Sequence, residues 1–154
     1  METRRRFIKN TAALSVTGIL SHWAVNAFAN DSLGEILPQR KLTRNGERIT
    51  AFALGGYHAA KSLKPAQAEK LIERSIELGV RFYDNARGYH QGTAEEYYGK
   101  FLTPKYRDII FLMTKSHGKS KDEVSNHLNE SLKALKADYL DLWIAKLVKR
   151  LKRR

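Results

Sequence analysis

Hydrophobic and polar positions along the chain repeat with two periods, one helical and one extended, and the switches between them mark out its elements. Pro65 at a first helical position leads Ala68, Leu71, Ile72, Ser75 and Ile76 at spacings of three and four, closed by Gly79, which predicts an amphipathic helix. A short strand over Val80–Asp84 follows at once. Thr93–Leu102 returns to the helical spacing, with Glu95 and Glu96 in the first turn, where the helix dipole favours negative charge, and Pro104 just beyond the end. Ile109–Met113 is an unbroken apolar run, the pattern of a parallel strand covered on both faces. Ser120 and Glu123 form a capping box ahead of the stripe Val124, Leu128, Leu132 and Leu135, and Tyr139–Ala145 reads as a last apolar strand.

Upstream, Arg40–Leu42 and Glu47–Ile49 flank Thr43-Arg44-Asn45-Gly46. Asn and Gly both tolerate positive φ, so a β-hairpin is expected there. Thr50–Leu54 is a short strand that stops at Gly55–Gly56, where the backbone can turn or be approached closely. The order is hairpin, then β-α-β-α-β-α-β. It predicts an α/β fold of four parallel strands alternating with helices that lie outside the sheet.

Charge changes this picture only at the ends. The chain has 154 residues and a net charge of +12, with Arg4, Arg5, Arg6 and Lys9 near the start and Lys146, Lys149, Arg150, Lys152, Arg153 and Arg154 at the finish. Between them Asn10–Ala145 carries 18 basic and 15 acidic residues, a near balance that points to a solvated surface rather than a nucleic-acid face. No nucleic-acid partner is expected. Cysteine is absent, which excludes disulfides, thiolate metal sites and cysteine nucleophiles, and no metal site is predicted.

Thr3-Arg4-Arg5-Arg6-Phe7-Ile8-Lys9 follows the pattern of a bacterial twin-arginine export signal. The mildly apolar Thr11–Leu20 is too interrupted to span a membrane, and Ala27-Phe28-Ala29 is a small-x-small peptidase sequence. The expectation is therefore a signal peptide over 1–29, handled by the twin-arginine translocation machinery and cleaved after Ala29, with a periplasmic product. The rest divides into an N-terminal segment and hairpin (30–50), the alternating domain (51–146) and a basic tail (147–154).

In parallel α/β folds functional groups gather at the carboxyl ends of strands. Here those ends carry Gly55-Gly56-Tyr57, Asp84, Tyr89, Lys115 and the segment around Lys146. Singly, each has an ordinary structural role: a tyrosine after a strand packs, and an aspartate caps a turn. Together they suggest proton delivery. A tyrosine hydroxyl, with a pKa near 10 in water, is a poor acid at neutral pH, and a nearby ammonium favours its phenolate form. Lys115 is the candidate ammonium and Asp84 the group that orients it. Tyr89 is then a general acid toward a carbonyl oxygen whose carbon receives a hydride.

Phe82-Tyr83-Asp84-Asn85-Ala86-Arg87-Gly88-Tyr89, then Met113-Thr114-Lys115, then Asp141-Leu142-Trp143 resemble the aldo-keto reductase family in order and spacing. Leu54-Gly55-Gly56-Tyr57 resembles that family's turn beside the nicotinamide, and the resemblance runs from about Arg40 to Trp143. It implies an eight-stranded (β/α) TIM barrel, NADPH as cofactor, and reduction of a small-molecule aldehyde or ketone by an Asp, Tyr, Lys, His tetrad. By position Asp84, Tyr89 and Lys115 match three of these, while Lys146 stands where the family has histidine. Gly55, Gly56, Tyr57 and Asp84 are the implied cofactor contacts.

Such a barrel needs eight strands and about 250 residues, whereas four barrel strands are predicted here. The expected molecule is thus the N-terminal half of the barrel, a truncated or frameshifted form that is inactive alone. The alternative is a non-enzymatic half-barrel fragment whose open sheet edges and basic tail associate with a second copy or an anionic surface.

Overall fold

The computed structural model of the protein describes residues 29–44 and 46–145. The expectations for the export signal before Ala29, for Lys146 and for the basic tail lie outside these residues.

The described residues begin with two small antiparallel pairs. β1 (Asn30–Asp31) pairs with β2 (Gly34–Glu35), and β3 (Gln39–Lys41) pairs with β4 (Arg48–Thr50), setting Arg40 opposite Ile49. The second pair is the predicted hairpin. Then follow β5 (Ala53–Gly55), α1 (Gly56–Ser62), α2 (Pro65–Glu77), β6 (Phe82–Asp84), a 3-10 turn Tyr89–Gly92, α3 (Thr93–Phe101), the single turn α4 (Thr103–Tyr106), β7 (Phe111–Ser116), α5 (Lys121–Leu135) and β8 (Leu142–Ala145). β5, β6, β7 and β8 form one parallel sheet in that order, the α/β half-barrel expected from the sequence.

Side chains alternate across this sheet. Tyr83 and Leu112 point toward the helices and join Ile72, Ile76, Tyr98, Phe101, Leu102, Ile110 and Leu135 in one buried core. The Tyr83 and Tyr98 rings meet edge to face at 5.8 Å. On the opposite face Phe82 and Phe111 meet edge to face at 5.5 Å. Asp84, Met113 and Lys115 share that second face.

Several boundaries differ from the sequence reading, each for a local reason. Thr50 was expected in the first barrel strand. It instead ends β4, opposite Gln39, and its hydroxyl donates to the Phe52 carbonyl at 2.7 Å, so the barrel strand starts only at Ala53. Helix α1 was not predicted: seven residues without a capping side chain or an apolar stripe leave no periodic signal. β7 begins and ends later than the apolar run Ile109–Met113, because Thr114 and Ser116 turn hydroxyls toward Glu95 and His127 while Lys115 faces the other way. β8 starts at Leu142 rather than Tyr139, since the Asp141 carboxylate accepts from the Leu112 amide at 2.7 Å and ends the ladder there. Leu71, placed in the helical stripe, is exposed, and Ala68, Ile72, Ser75 and Ile76 form the buried face of α2. In the capping box Ser120 accepts from the Glu123 amide as expected, but the Glu123 carboxylate reaches back to the Lys119 amide. Among the described residues no helix is long and apolar enough to cross a membrane.

Candidate active site

β6 and β7 run parallel in a register that pairs Asp84 with Met113, so Lys115 is the diagonal neighbour of Asp84 on the same face of the sheet. The Lys115 ammonium donates to Asp84 Oδ1 in a short, charge-assisted contact. The two side chains keep 24% and 35% of their exposure, so the pair sits at the surface of the sheet's end rather than beneath it.

Tyr89 comes to the same place by a loop that is tied down. The Asn85 amide donates to the Met113 carbonyl and the Arg87 amide to the Lys115 carbonyl, which continues the β6–β7 ladder past the end of β6. The Asn85 side chain is fully buried and donates to the Ala94 carbonyl at 2.9 Å. Lys115 Nζ then lies 5.4 Å from the Tyr89 ring centroid, within cation–π range. The structure therefore brings Asp84, Tyr89 and Lys115 together. Its contact between ammonium and phenol is with the ring face.

The glycine turn at the end of β5 completes one side. Tyr98, on α3, donates its hydroxyl to the Leu54 carbonyl at 2.7 Å and so anchors the strand just before the turn. Burial pushes the Tyr98 phenol well above its ordinary pKa of 10, and that of Tyr83 to about 12, so both remain donors in the core. Gly55 is exposed, with nothing within 4 Å of where a Cβ would stand. Gly56 is buried, and a Cβ there would come within 2.7 Å of the Asn85 amide. That leaves room only for glycine between the turn and the Tyr89 loop. Tyr57 remains 39% exposed and meets Tyr89 edge-on at 5.2 Å and His90 at 4.5 Å.

Sequence reasoning missed three contributors. His90 packs on Tyr57 while its own backbone adopts φ of 50°, and Gln91 follows at 58°. Each left-handed non-glycine residue costs roughly 1–2 kcal/mol, and nothing in Tyr-His-Gln-Gly announces it. Glu95 was read only as a favourable first-turn charge. Its side chain is instead buried and accepts from the Thr114 hydroxyl at 2.6 Å, directly behind Lys115. Burial holds its carboxyl above the usual range, opposed by the hydroxyl of Thr114 and by nearby Ser131, whose Oγ lacks the geometry of a full hydrogen bond. His117, beyond β7, lies over Gly88, with Nδ1 3.4 Å from that residue's Cβ position. A histidine two residues after a strand-end lysine was the available signal.

Comparison with known proteins agrees with this arrangement. A profile of the aldo/keto reductase family matches residues 51–150. A 6-dehydroglucose reductase from Novosphingobium aromaticivorans is 30% identical over 120 residues, 68% of this chain and 40% of that protein. An aldo-keto reductase from Bacillus halodurans in its holo form superposes with a TM-score of 0.63 at 24% identity, over 70% of this chain and 39% of that one. An aldo/keto reductase from Klebsiella pneumoniae, crystallised with NADP and acetate, gives a TM-score of 0.58 at 28% identity, covering 68% and 38%. The chain thus spans less than half the length of the relatives it matches. With the family pattern extending over most of its length and a four-stranded part of the same barrel beneath it, the chain belongs to the aldo/keto reductase family.

Proposed function

We propose that this chain carries the proton-delivery part of an exported, NADP-dependent carbonyl reductase, with Tyr89 as the proton donor. The observation that carries the reading is the Asp84–Lys115 pair lying against the Tyr89 ring at one end of the sheet. NADPH, when bound, supplies the hydride that the carbonyl carbon of an aldehyde or ketone accepts. The exposed Gly55 backbone and the partly exposed Tyr57 ring fit such a group; Gly55, Tyr57 and Asp84 would hold it, with the buried Gly56 forming the turn behind them. As the carbonyl oxygen gains the electron pair of its double bond, the Tyr89 hydroxyl gives it a proton and the alcohol is released. Lys115 offsets the negative charge left on the phenol oxygen, Asp84 keeps the ammonium in place, and water returns the proton. By the family pattern, Lys146 stands where that family has histidine.

The test is binding of NADPH to the full chain, followed by cofactor fluorescence. Saturable binding that Lys115→Met weakens is expected; no binding at millimolar cofactor refutes the assignment. The Thr3–Lys9 motif and the Ala27–Ala29 sequence support the export, and the exported protein should begin at Asn30 by mass spectrometry. A non-enzymatic half-barrel that pairs with itself or with an anionic surface is the second reading. Among the described residues β5 and β8 are laddered on one side only. A sedimentation dimer that binds no cofactor would favour it.

A further inference from the structure

The turn that follows Tyr89 is held in a shape its own sequence resists. His90, Gln91 and Gly92 have φ of 50°, 58° and 98°, and only the last is glycine. Successive side-chain-bearing residues in the left-handed region persist only where their surroundings over-determine them. Those surroundings centre on Tyr57. The His90 ring lies 4.5 Å from the Tyr57 ring, tilted by 46°, and Tyr57 meets Tyr89 edge-on at 5.2 Å and 85°. His90 Nε2 is buried without a hydrogen-bond partner, so at this nitrogen the ring acts as a slab and not as a polar group. Tyr57 itself is fixed at the start of α1, where Gly56 closes against the buried Asn85.

We propose that His90 is a positioning residue for Tyr89. Its ring, set against Tyr57, locks the left-handed turn, and through Tyr57 it fixes the direction in which the Tyr89 ring faces Lys115. The inference rests on the assignment of Tyr89 as proton donor, but its geometric content can be read without turnover. A merely structural role predicts that loss of the ring and loss of stability go together. A positioning role separates them, because glycine removes the ring and the backbone strain at once.

The experiment uses the full chain labelled with 3-fluorotyrosine, with the resonance of residue 89 identified by its absence in Tyr89→Phe. His90→Gly is expected to melt at an equal or higher temperature, yet to move or broaden the Tyr89 resonance. It should also lower kcat for NADPH-dependent aldehyde reduction by about 10-fold while leaving the Kd for NADPH within about two-fold. His90→Phe keeps a ring and removes the unpartnered nitrogen, and is expected to restore both resonance and kcat. His90→Tyr serves as the second ring-keeping variant if the Phe variant does not fold. An unchanged Tyr89 resonance in His90→Gly overturns the proposal, as does a folded ring-keeping variant that fails to restore it. A wild-type chain without turnover, as expected of half a barrel by itself, removes only the kcat readout, because the resonance still decides the positioning.

Discussion

Strand β6 is bracketed by two carboxylate–cation pairs only three residues apart, and they are built to opposite specifications. Before the strand, Arg81 is buried, with 5% of its side chain exposed and 15% of that of Asp31. Its guanidinium forks onto both Asp31 oxygens and also donates to the Ile76 and Val80 carbonyls at 2.8 and 2.9 Å, while its amide takes the Thr50 hydroxyl as acceptor. At the other end Lys115 makes one hydrogen bond, to Asp84, among the described residues, and has three donors to give. The first pair uses four of the guanidinium's five N–H groups and fastens the N-terminal segment to the sheet. The second is partly solvated and retains capacity for a reacting group. The same chemical attraction thus serves as a rivet where nearly every donor is used and as a reagent where most donors remain.

Breaking the rivet should have the largest effect. Arg81→Met leaves Asp31 without its partner and should lower the unfolding free energy by about 3–5 kcal/mol in denaturant titrations, whereas NADPH binding per folded molecule should change little. At the other end Tyr89→Phe should leave the melting temperature close to wild type, which would confirm that this end is not structural, and should reduce about 100-fold any carbonyl turnover the chain supports. A smaller effect separates the pairs by pH. The Arg81 guanidinium holds the Asp31 carboxyl below its ordinary 3.8. A depressed folded value means that this stabilisation is complete above pH 3.8 and is lost as the pH falls through the folded value. Asp31→Asn should therefore flatten the acid limb of stability measured between about pH 2 and 5. The smallest effect belongs to Arg87 and Glu130, a pair more exposed than either of the others. Glu130→Gln should cost less than about 1 kcal/mol, and that little should shrink further in salt.

The sequence made one of these ends readable and hid the other. Asp84, Tyr89 and Lys115 were found because polar groups just past apolar strands stand out, and the parallel order brings strand ends together. Arg81 and Asp31 were hidden because their partnership spans fifty residues and neither interrupts a pattern. The helices α2, α3 and α5 were legible from periodicity, Pro65 and the Ser120 cap. Strand limits were not: a run such as Ile109–Met113 has no register mark, and β7 continues through Thr114, Lys115 and Ser116 because Glu95, Asp84 and His127 partner their polar atoms. The short α1 and the left-handed turn at His90 are set by contacts with Asn85 and Tyr57, which no local spacing encodes.

The extension of the β6–β7 ladder through Asn85 and Arg87 has a mechanical consequence. The stretch from Asn85 to Arg87 is stiffened like a beam clamped to its neighbour. The Asn85 and Arg87 amides should exchange their hydrogens with solvent only when the sheet itself opens, far more slowly than those of an ordinary loop. The backbone that leads to Tyr89 would then move with the sheet, which leaves the direction of the phenol ring to its contacts with Tyr57 and, through it, His90.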